Sequence, residues 1–125
     1  MSDTRPAFSP TRMLPLPGGG KLIFCSGVTA RGSAAEGGRV EEQTEECLAR
    51  LGRALAGEGA QLSDLLKINT YLSDMRHYPG FDAVRRRILS VLLTPPASTC
   101  VGGAQFTTTG CCIEIEGIAV LTGAN

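Results

Sequence analysis

The chain has 125 residues, of which 42% are apolar and 19% are charged, so it can bury the core of one domain. Twelve basic residues balance twelve acidic ones, and this net charge of zero argues against a nucleic-acid-binding surface. No apolar run approaches the roughly 18 residues that a membrane-spanning helix needs. We therefore predict a single domain over residues 1–125 that binds neither nucleic acid nor a membrane.

The N-terminal third of the chain predicts an irregular arm and two strands. Residues 1–10 contain two prolines and lack the apolar core of a secretory signal, so we expect a cytoplasmic protein. A first strand is predicted over 11–16, and a glycine-rich turn follows at 17–20. A short apolar strand is predicted over 21–25, where the dipeptide Ser26-Gly27 ends it.

Two helices are predicted in the middle of the chain. The first begins near Val40, because Glu41 and Glu42 then lie at the positive end of the helix dipole. Its apolar stripe consists of Cys47, Leu48, Leu51, Ala54 and Leu55. The second helix is predicted over 80–92, and the prolines of Thr94-Pro95-Pro96 stop it.

Three further strands complete the predicted order, which is β-β-α-β-α-β-β. They are expected at 66–72, at 98–105 and at 112–121. A helix between two strands usually crosses one face of the sheet, which predicts an α+β fold with a mixed sheet and two helices on one face. Two helices cannot cover both faces of such a sheet, so we expect other subunits to cover the second face.

The two C-terminal strands carry the residues that most strongly suggest a function. Side chains two apart in a strand point the same way, so Glu114 and Glu116 are predicted to share one face. The preceding strand carries the thiol of Cys100 among small residues. Acidic side chains within an apolar strand indicate a ligand or a partner subunit at that face.

These two strands resemble a known family. The segments Ala97-Ser98-Thr99-Cys100-Val101 and Glu114-Ile115-Glu116-Gly117-Ile118-Ala119 are similar to the C-terminal pattern of the Rid proteins. These are the reactive intermediate deaminases, also called the YjgF/YER057c/UK114 family. The resemblance implies a chorismate-mutase-like α+β fold and a homotrimer. It also implies that a small 2-imino or 2-keto acid binds in the clefts between subunits.

The resemblance assigns roles to individual residues. Glu114 matches the glutamate that activates the attacking water, and Gly27 matches a glycine of the site. Cys100 matches a cysteine near the substrate, although no histidine stands near it in sequence to make it a nucleophile. Phe8 corresponds to an N-terminal tyrosine that lines the pocket. Arg85 falls where an asparagine often stands.

Ser98 is the main departure from the family pattern, because the deaminases carry an arginine there. A serine hydroxyl cannot replace a charged, planar fork of donors, so the usual 2-imino acids are not the expected substrates. Two interpretations of Arg85 remain open. It supplies the missing charge from another direction, or it is a solvated or salt-bridged arginine of the second helix.

The sequence thus supports an enamine or imine deaminase that acts on a small reactive metabolite. The alternative is a non-catalytic trimer that binds a metabolite in the same clefts. A third interpretation, an RNA nuclease, lacks the expected basic surface. The five cysteines include no C-x-x-C pair and His77 is the single histidine, so we expect neither a metal site nor a cofactor.

Overall fold

The alternating and striped patterns of the sequence form five strands and two helices. The computed structural model describes residues 4–123. The strands are β1 (Thr11–Pro15), β2 (Lys21–Val28), β3 (Leu65–Leu72), β4 (Ala97–Val101) and β5 (Ile113–Leu121). The helices are α1 (Val40–Ala56), which precedes β3, and α2 (Tyr78–Leu89), which precedes β4. The predicted order of elements is therefore confirmed.

All five strands form one mixed sheet in the order β1-β2-β5-β3-β4. Neighbouring strands are antiparallel except for β3 and β4, which are parallel. Helix α2 makes the long crossover that a parallel pair requires. This topology places β4 at one edge of the sheet and β5 at its centre.

Both helices pack on the same face of the sheet. Helix α1 buries Cys47, Leu48, Leu51 and Leu55, and α2 buries Phe81, Val84 and Leu89. These side chains form one core with Ile23, Ile68, Leu72, Ile113 and Ile115 from the strands. The predicted fold class, a mixed sheet with two helices on one face, is confirmed.

The opposite face of the sheet carries no helix of this chain within residues 4–123. Leu14 and Phe24 lie on this open face and are 56% and 48% exposed, and Val101 is 46% exposed. Such large apolar side chains are usually covered in the functional state of a protein. Trimer formation stays a prediction.

Strand β2 continues beyond the predicted stop at Ser26-Gly27. Its pairing with β5 shifts register between Cys25 and Val28, which marks a β-bulge. The Ser26 hydroxyl donates a hydrogen bond of 2.6 Å to the backbone oxygen of Ser9. A bulge absorbs one irregular residue without ending a strand, so the small residues bend β2 instead of stopping it.

Strand β4 and helix α2 both end earlier than predicted. Strand β4 stops at Val101 because Gly103, with φ of +76°, turns the chain out of the sheet. Helix α2 spans Tyr78–Leu89 rather than 80–92, with a proline in its first turn where the missing backbone N–H costs nothing.

Candidate active site

Strand β5 presents Glu114 and Glu116 on the open face of the sheet, as the alternation of its residues predicts. Glu116 lies opposite Asn69 of β3, and Glu114 lies opposite Tyr71. The Tyr71 hydroxyl donates a hydrogen bond of 2.7 Å to Glu116 Oε1, and Asn69 Nδ2 donates a longer one of 3.4 Å. The Glu116 carboxylate is therefore held in place by its neighbours on β3.

Glu114 lacks such partners. No group within residues 4–123 donates a hydrogen bond to its carboxylate, although the residue is half-buried. Burial raises the pKa of Glu114 above its ordinary value of 4.5, and the negative charge of Glu116 raises it further. A carboxylate in this state is suited to exchange a proton with a bound molecule.

A pocket of about 210 Å³ lies against Glu114. It is lined by Thr29, Gln105, Phe106, Thr107, Thr108, Cys111 and Glu114. Three threonines and one phenylalanine thus line the pocket beside the Glu114 carboxylate. The residues of the β4–β5 connection carry no sequence signal for the site, because an irregular segment has no periodicity that shows which way its side chains point.

Gly27 lies directly against the Glu114 side chain. A methyl group on Gly27 would stand 2.9 Å from Glu114 Cδ, which is closer than carbon atoms normally approach. The bulge in β2 therefore places a residue without a side chain against the Glu114 carboxylate. The structure places these two predicted site residues together.

Phe8 lies in a different groove that also reaches Gly27. The groove has a volume of about 550 Å³ and includes Ser26 and Arg50 in its lining. The Phe8 ring is 69% exposed. Phe8 is thus near the bulge but does not line the pocket of Glu114.

Ser98 and Cys100 lie on the other face of the sheet from Glu114. In the parallel pairing of β3 and β4, Ser98 is opposite Ile68 and Cys100 is opposite Thr70, and both partners point into the core. Ser98 and Cys100 therefore share a face of the sheet. Within one chain, however, they do not meet Glu114.

Arg85 of α2 reaches across to Ser98. Its Nη1 donates a hydrogen bond of 3.0 Å to the Ser98 hydroxyl oxygen. Its Nε and Nη2 both donate to Asp82 Oδ1, at 3.1 and 2.5 Å, and Nη2 also donates to the Tyr78 hydroxyl at 2.7 Å. The guanidinium therefore lies beside Ser98, the position at which the resemblance to the Rid deaminases implies an arginine.

A groove of about 220 Å³ borders this arginine. It is lined by Ile68, Asp82, Arg85, Arg86, Leu89, Ser90, Pro95, Pro96 and Ser98. Cys100 packs against the core near it, and burial raises the pKa of the Cys100 thiol while the charge of Arg85 opposes that shift. The thiol is thus less acidic than usual, which disfavours a nucleophilic role.

The fold is that of an α+β domain with a mixed five-stranded sheet and two helices on one face. The family model described as Endoribonuclease L-PSP matches residues 18–121, which is most of the chain. The chain therefore belongs to the endoribonuclease L-PSP family, and its resemblance to the YjgF or Rid proteins is confirmed.

Similar proteins agree with this assignment. The crystal structure of NMB1025, a YjgF-family protein from Neisseria meningitidis, matches with a TM-score of 0.79 and 30% identity, over 97% of this chain and 92% of that one. Protein mmf1 of Schizosaccharomyces pombe is 38% identical over 79% of this chain. The match covers 62% of mmf1, so this chain spans less than two thirds of that relative.

The expected cytoplasmic location is wrong by the same comparison. Protein mmf1 is named as mitochondrial, and so is protein mmf2 of the same yeast, which is 31% identical over 80% of this chain. The lack of an apolar secretory signal does not indicate the cytoplasm, because organelle-targeting segments are amphipathic and basic. Within residues 4–123, no helix is long and apolar enough to cross a membrane.

Proposed function

We propose that this protein hydrolyses a small reactive enamine or imine other than the usual 2-imino acids. The observation that carries this proposal is the unpaired, half-buried Glu114 carboxylate, which lines a pocket of about 210 Å³. A pocket of this size admits a small metabolite. The serine at position 98 supports a substrate other than a 2-imino acid, because no arginine extends from β4.

Glu114 acts as the general base in the proposed reaction. Its carboxylate takes a proton from a water molecule while the water oxygen bonds to the carbon of the C=N group. The π electrons pass to the nitrogen, which takes up the proton that Glu114 removed from the water. An enamine substrate reaches the same C=N form when a proton moves from its nitrogen to its carbon. The resulting carbinolamine then collapses to a carbonyl compound and releases ammonia, so imine and water are converted to carbonyl and ammonia. Thr29, Thr107 and Thr108 line the same pocket, and in this proposal their hydroxyl groups orient the water.

The proposed sites lie in clefts of a homotrimer. Two observations support this arrangement. The open sheet face carries exposed apolar side chains, and within one chain Glu114 and Ser98 lie on opposite faces of the sheet. Because β4 is an edge strand, Ser98 and Cys100 of one subunit can approach Gly27 and Glu114 of another. Each site would then combine residues of two subunits.

A non-catalytic trimer that binds a metabolite is the second candidate. It is favoured by Arg85, whose guanidinium is already engaged by Asp82, Tyr78 and Ser98. The family model carries the name of an endoribonuclease. The balance of twelve acidic and twelve basic residues argues against an RNA-binding surface in this chain.

The test is release of ammonia from freshly generated 2-aminoacrylate and 2-aminocrotonate, which give the usual 2-imino acids, and from 3-aminocrotonate, whose carboxylate is not attached to the reacting carbon. Each rate is measured above spontaneous hydrolysis, and we expect the fastest turnover outside the first two substrates. Glu114→Gln removes the base, and we expect the rate with the best substrate to fall by about 100-fold or more. Glu45→Gln is the matched control, because Glu45 lies on the exposed side of α1.

Equal rates in wild type and Glu114→Gln would remove this residue from the mechanism. Absence of catalysis, together with a ligand that raises the melting temperature and is not consumed, would support the non-catalytic trimer. Sedimentation of the wild-type protein as a monomer would contradict the proposed clefts.

A further inference from the structure

We propose that a polar stripe of helix α1 positions both walls of the Glu114 pocket. The stripe consists of three side chains on one face of the helix, Gln43, Cys47 and Arg50. The walls are the β2–α1 connection (residues 29–39) and the β4–β5 connection (residues 102–112), and both contribute side chains to the pocket. This inference rests on the proposed function, because it names the residues that hold the same site in place.

Gln43 is a buried polar side chain in the first turns of α1. Only 1% of its surface is exposed, so both ends of its amide need partners within the protein. Its Nε2 donates to the backbone oxygens of Gly38 and Gly110, at 3.1 and 2.9 Å. Its Oε1 accepts from the backbone N–H of Cys112 at 2.9 Å. One side chain therefore joins the two connections.

The contact of Gln43 with Cys112 fixes the beginning of β5. The Cys112 N–H donates to Gln43, and the Cys112 carbonyl oxygen accepts from the backbone N–H of Ser73 at 3.0 Å. The residue is thus held on both sides just before the strand begins. Glu114 follows two residues later, so the position of this peptide determines where the Glu114 carboxylate stands.

Gly110 is the point at which the two connections meet. Its carbonyl oxygen accepts from Gln43 and also from the backbone N–H of Gly37, at 2.9 Å. A methyl group on Gly110 would stand 3.2 Å from the Gly37 nitrogen, so the two segments pack tightly here. The next N–H, that of Cys111, donates to the backbone oxygen of Thr108 at 3.1 Å. The turn that carries pocket-lining side chains is therefore tied to the Gln43 contact.

The rest of the polar stripe holds the other end of the β2–α1 connection. Arg50 Nη1 donates to the backbone oxygen of Thr29 at 2.8 Å, and Cys47 Sγ donates to that of Val28 at 3.3 Å. Gln43, Cys47 and Arg50 stand at i, i+4 and i+7, which places them on one face of the helix. Because Thr29 lines the pocket, this single face of α1 reaches both walls.

The position of the walls matters because they carry the threonines that orient the water in the proposed reaction. Both walls are irregular segments, so side-chain contacts from a rigid helix replace the ladder of hydrogen bonds that holds a strand. A misplacement of about 1 Å can cost on the order of 100-fold in rate. Gln43 does not line the pocket itself, so it acts on the rate through the walls as a positioning residue.

The experiment replaces Gln43 by methionine in the full chain and measures kcat and KM for ammonia release from the best enamine substrate. Methionine is as long as glutamine and fills a core, but it has no amide, so Gln43→Met keeps the packing and removes three hydrogen bonds. We expect kcat to fall by about tenfold or more and KM to change less. Rates are measured well below the melting temperature of each variant.

Thr44→Val is the matched control for Gln43→Met. Thr44 is the next residue of α1 and is equally buried, but its hydroxyl donates to the backbone oxygen of Val40 within the helix, at 2.7 Å. The variant therefore removes a buried hydrogen bond without releasing either wall. It should leave kcat unchanged even where the melting temperature falls. A purely structural role for Gln43 predicts a loss of stability in both variants and a loss of kcat in neither.

Amide hydrogen exchange, followed by NMR, tests the walls apart from turnover. In Gln43→Met the Cys112 N–H loses its acceptor and Gly110 loses one of its two donors. We expect the amides of Cys112 and Gly37 to exchange about tenfold faster relative to those of α2, because only this region opens. A general loss of stability would speed up exchange in α2 as well. Thr44→Val should leave the ratio as in the wild type.

A second pair of variants tests the other end of the polar stripe. Arg50 and Arg53 both donate to Glu46 Oε2, at 2.8 and 3.2 Å, and Arg50 also donates to the backbone oxygen of Thr29. Arg50→Met should lower kcat several-fold, whereas Arg53→Met, the control, should leave it unchanged. This pair keeps the inference decidable if Gln43→Met does not fold.

Three results would overturn the inference. These are wild-type kcat in both Gln43→Met and Arg50→Met, an equal loss of kcat in Thr44→Val, or an unchanged exchange ratio at Cys112 in Gln43→Met. Wild-type hydrolysis in every variant would reject the positioning role and leave the proposed function intact. If the wild type hydrolysed no enamine, the proposed function would fail, and the exchange ratio would still decide whether α1 holds the walls.

Discussion

Arg85 of α2, which contacts the edge strand β4, donates four of its five N–H groups to residues of its own chain. The Glu114 carboxylate on the central strand β5, in contrast, accepts no hydrogen bond from residues 4–123. Both are charged side chains of the candidate site, and both are partly buried. The fold therefore engages most donors of Arg85, and among the described residues it gives Glu114 no hydrogen-bond partner.

This contrast separates two chemical tasks. A guanidinium that orients a ligand is useful only if it does not move, and the contacts with Asp82, Tyr78 and Ser98 prevent movement. A carboxylate that transfers protons must change its charge, and hydrogen bonds from the protein would favour the ionised form and lower its pKa. The unsupported state of Glu114 is thus consistent with proton transfer.

Apart from loss of the carboxylate itself, Gly27→Ala should produce the largest effect on the Glu114 side of this comparison. The added methyl would stand 2.9 Å from Glu114 Cδ and would displace the carboxylate. Misplacing a reacting group by about 1 Å costs on the order of 100-fold, so we expect the hydrolysis rate to fall by roughly 10- to 100-fold. Steady-state ammonia release measures this loss.

Gly52→Ala is the matched control for that prediction. A methyl there meets only Leu62, at 3.8 Å, and lies within α1, where alanine is the better helix former. It should leave the rate unchanged. A Gly27→Ala protein with wild-type activity would show that the position of the carboxylate does not limit the reaction.

Moving the arginine back to the strand tests the other side of the comparison. Ser98→Arg alone places a second guanidinium beside Arg85, and like charges at this distance repel, so we expect a lower melting temperature. The double variant Ser98→Arg/Arg85→Asn removes the repulsion. It should bind 2-oxobutanoate more tightly than Ser98→Arg by about tenfold.

A matched double variant controls for the removal of any arginine. Ser98→Arg/Arg87→Asn keeps Arg85 in place and loses an arginine that pairs with Glu45 outside the groove. Its melting temperature should stay as low as that of Ser98→Arg. If both double variants behaved alike, the two guanidinium positions would not compete for one place.

The local features of the sequence predicted the fold because each depends on nearby residues. The stripe of α1 and the alternation in β5 that places Glu114 and Glu116 on one face both follow from fixed repeats. The bulge at Ser26-Gly27 was missed, since small residues can either end a strand or bend it.

The separation of Ser98 from Glu114 could not be predicted in the same way. It depends on the pairing of β4 with β3 and of β3 with β5, and a shift of one residue reverses the face of every side chain. The contact of Arg85 with Ser98 also joins two elements that only the tertiary fold brings together. The threonines near Glu114 follow no repeat at all.

Glu116→Gln should produce the smallest effect, a shift in the pH dependence of hydrolysis. The base form of Glu114 is the active one, so the rate should rise with pH as this carboxyl ionises. Burial and the charge of Glu116 raise the pKa of Glu114 above 4.5, which places this rise above the usual range of glutamate. Removing the charge of Glu116 leaves only burial, so the rise should move to lower pH and still remain above 4.5.

The raised pKa of Glu114 also affects stability, which should fall with rising pH whereas the rate of hydrolysis rises. Because the folded state raises the pKa of Glu114, it holds this proton more tightly than the unfolded state, and the free energy of unfolding falls as pH rises from 4.5 through the raised pKa. Glu116→Gln should make this fall smaller, because it removes the charge that helps to raise the pKa of Glu114. The new amide oxygen can still accept from the Tyr71 hydroxyl, so that contact is kept. Denaturant unfolding at several pH values measures the change, with Glu45→Gln as the control. An identical pH dependence of rate and stability in Glu116→Gln and wild type would show that the two carboxylates do not interact.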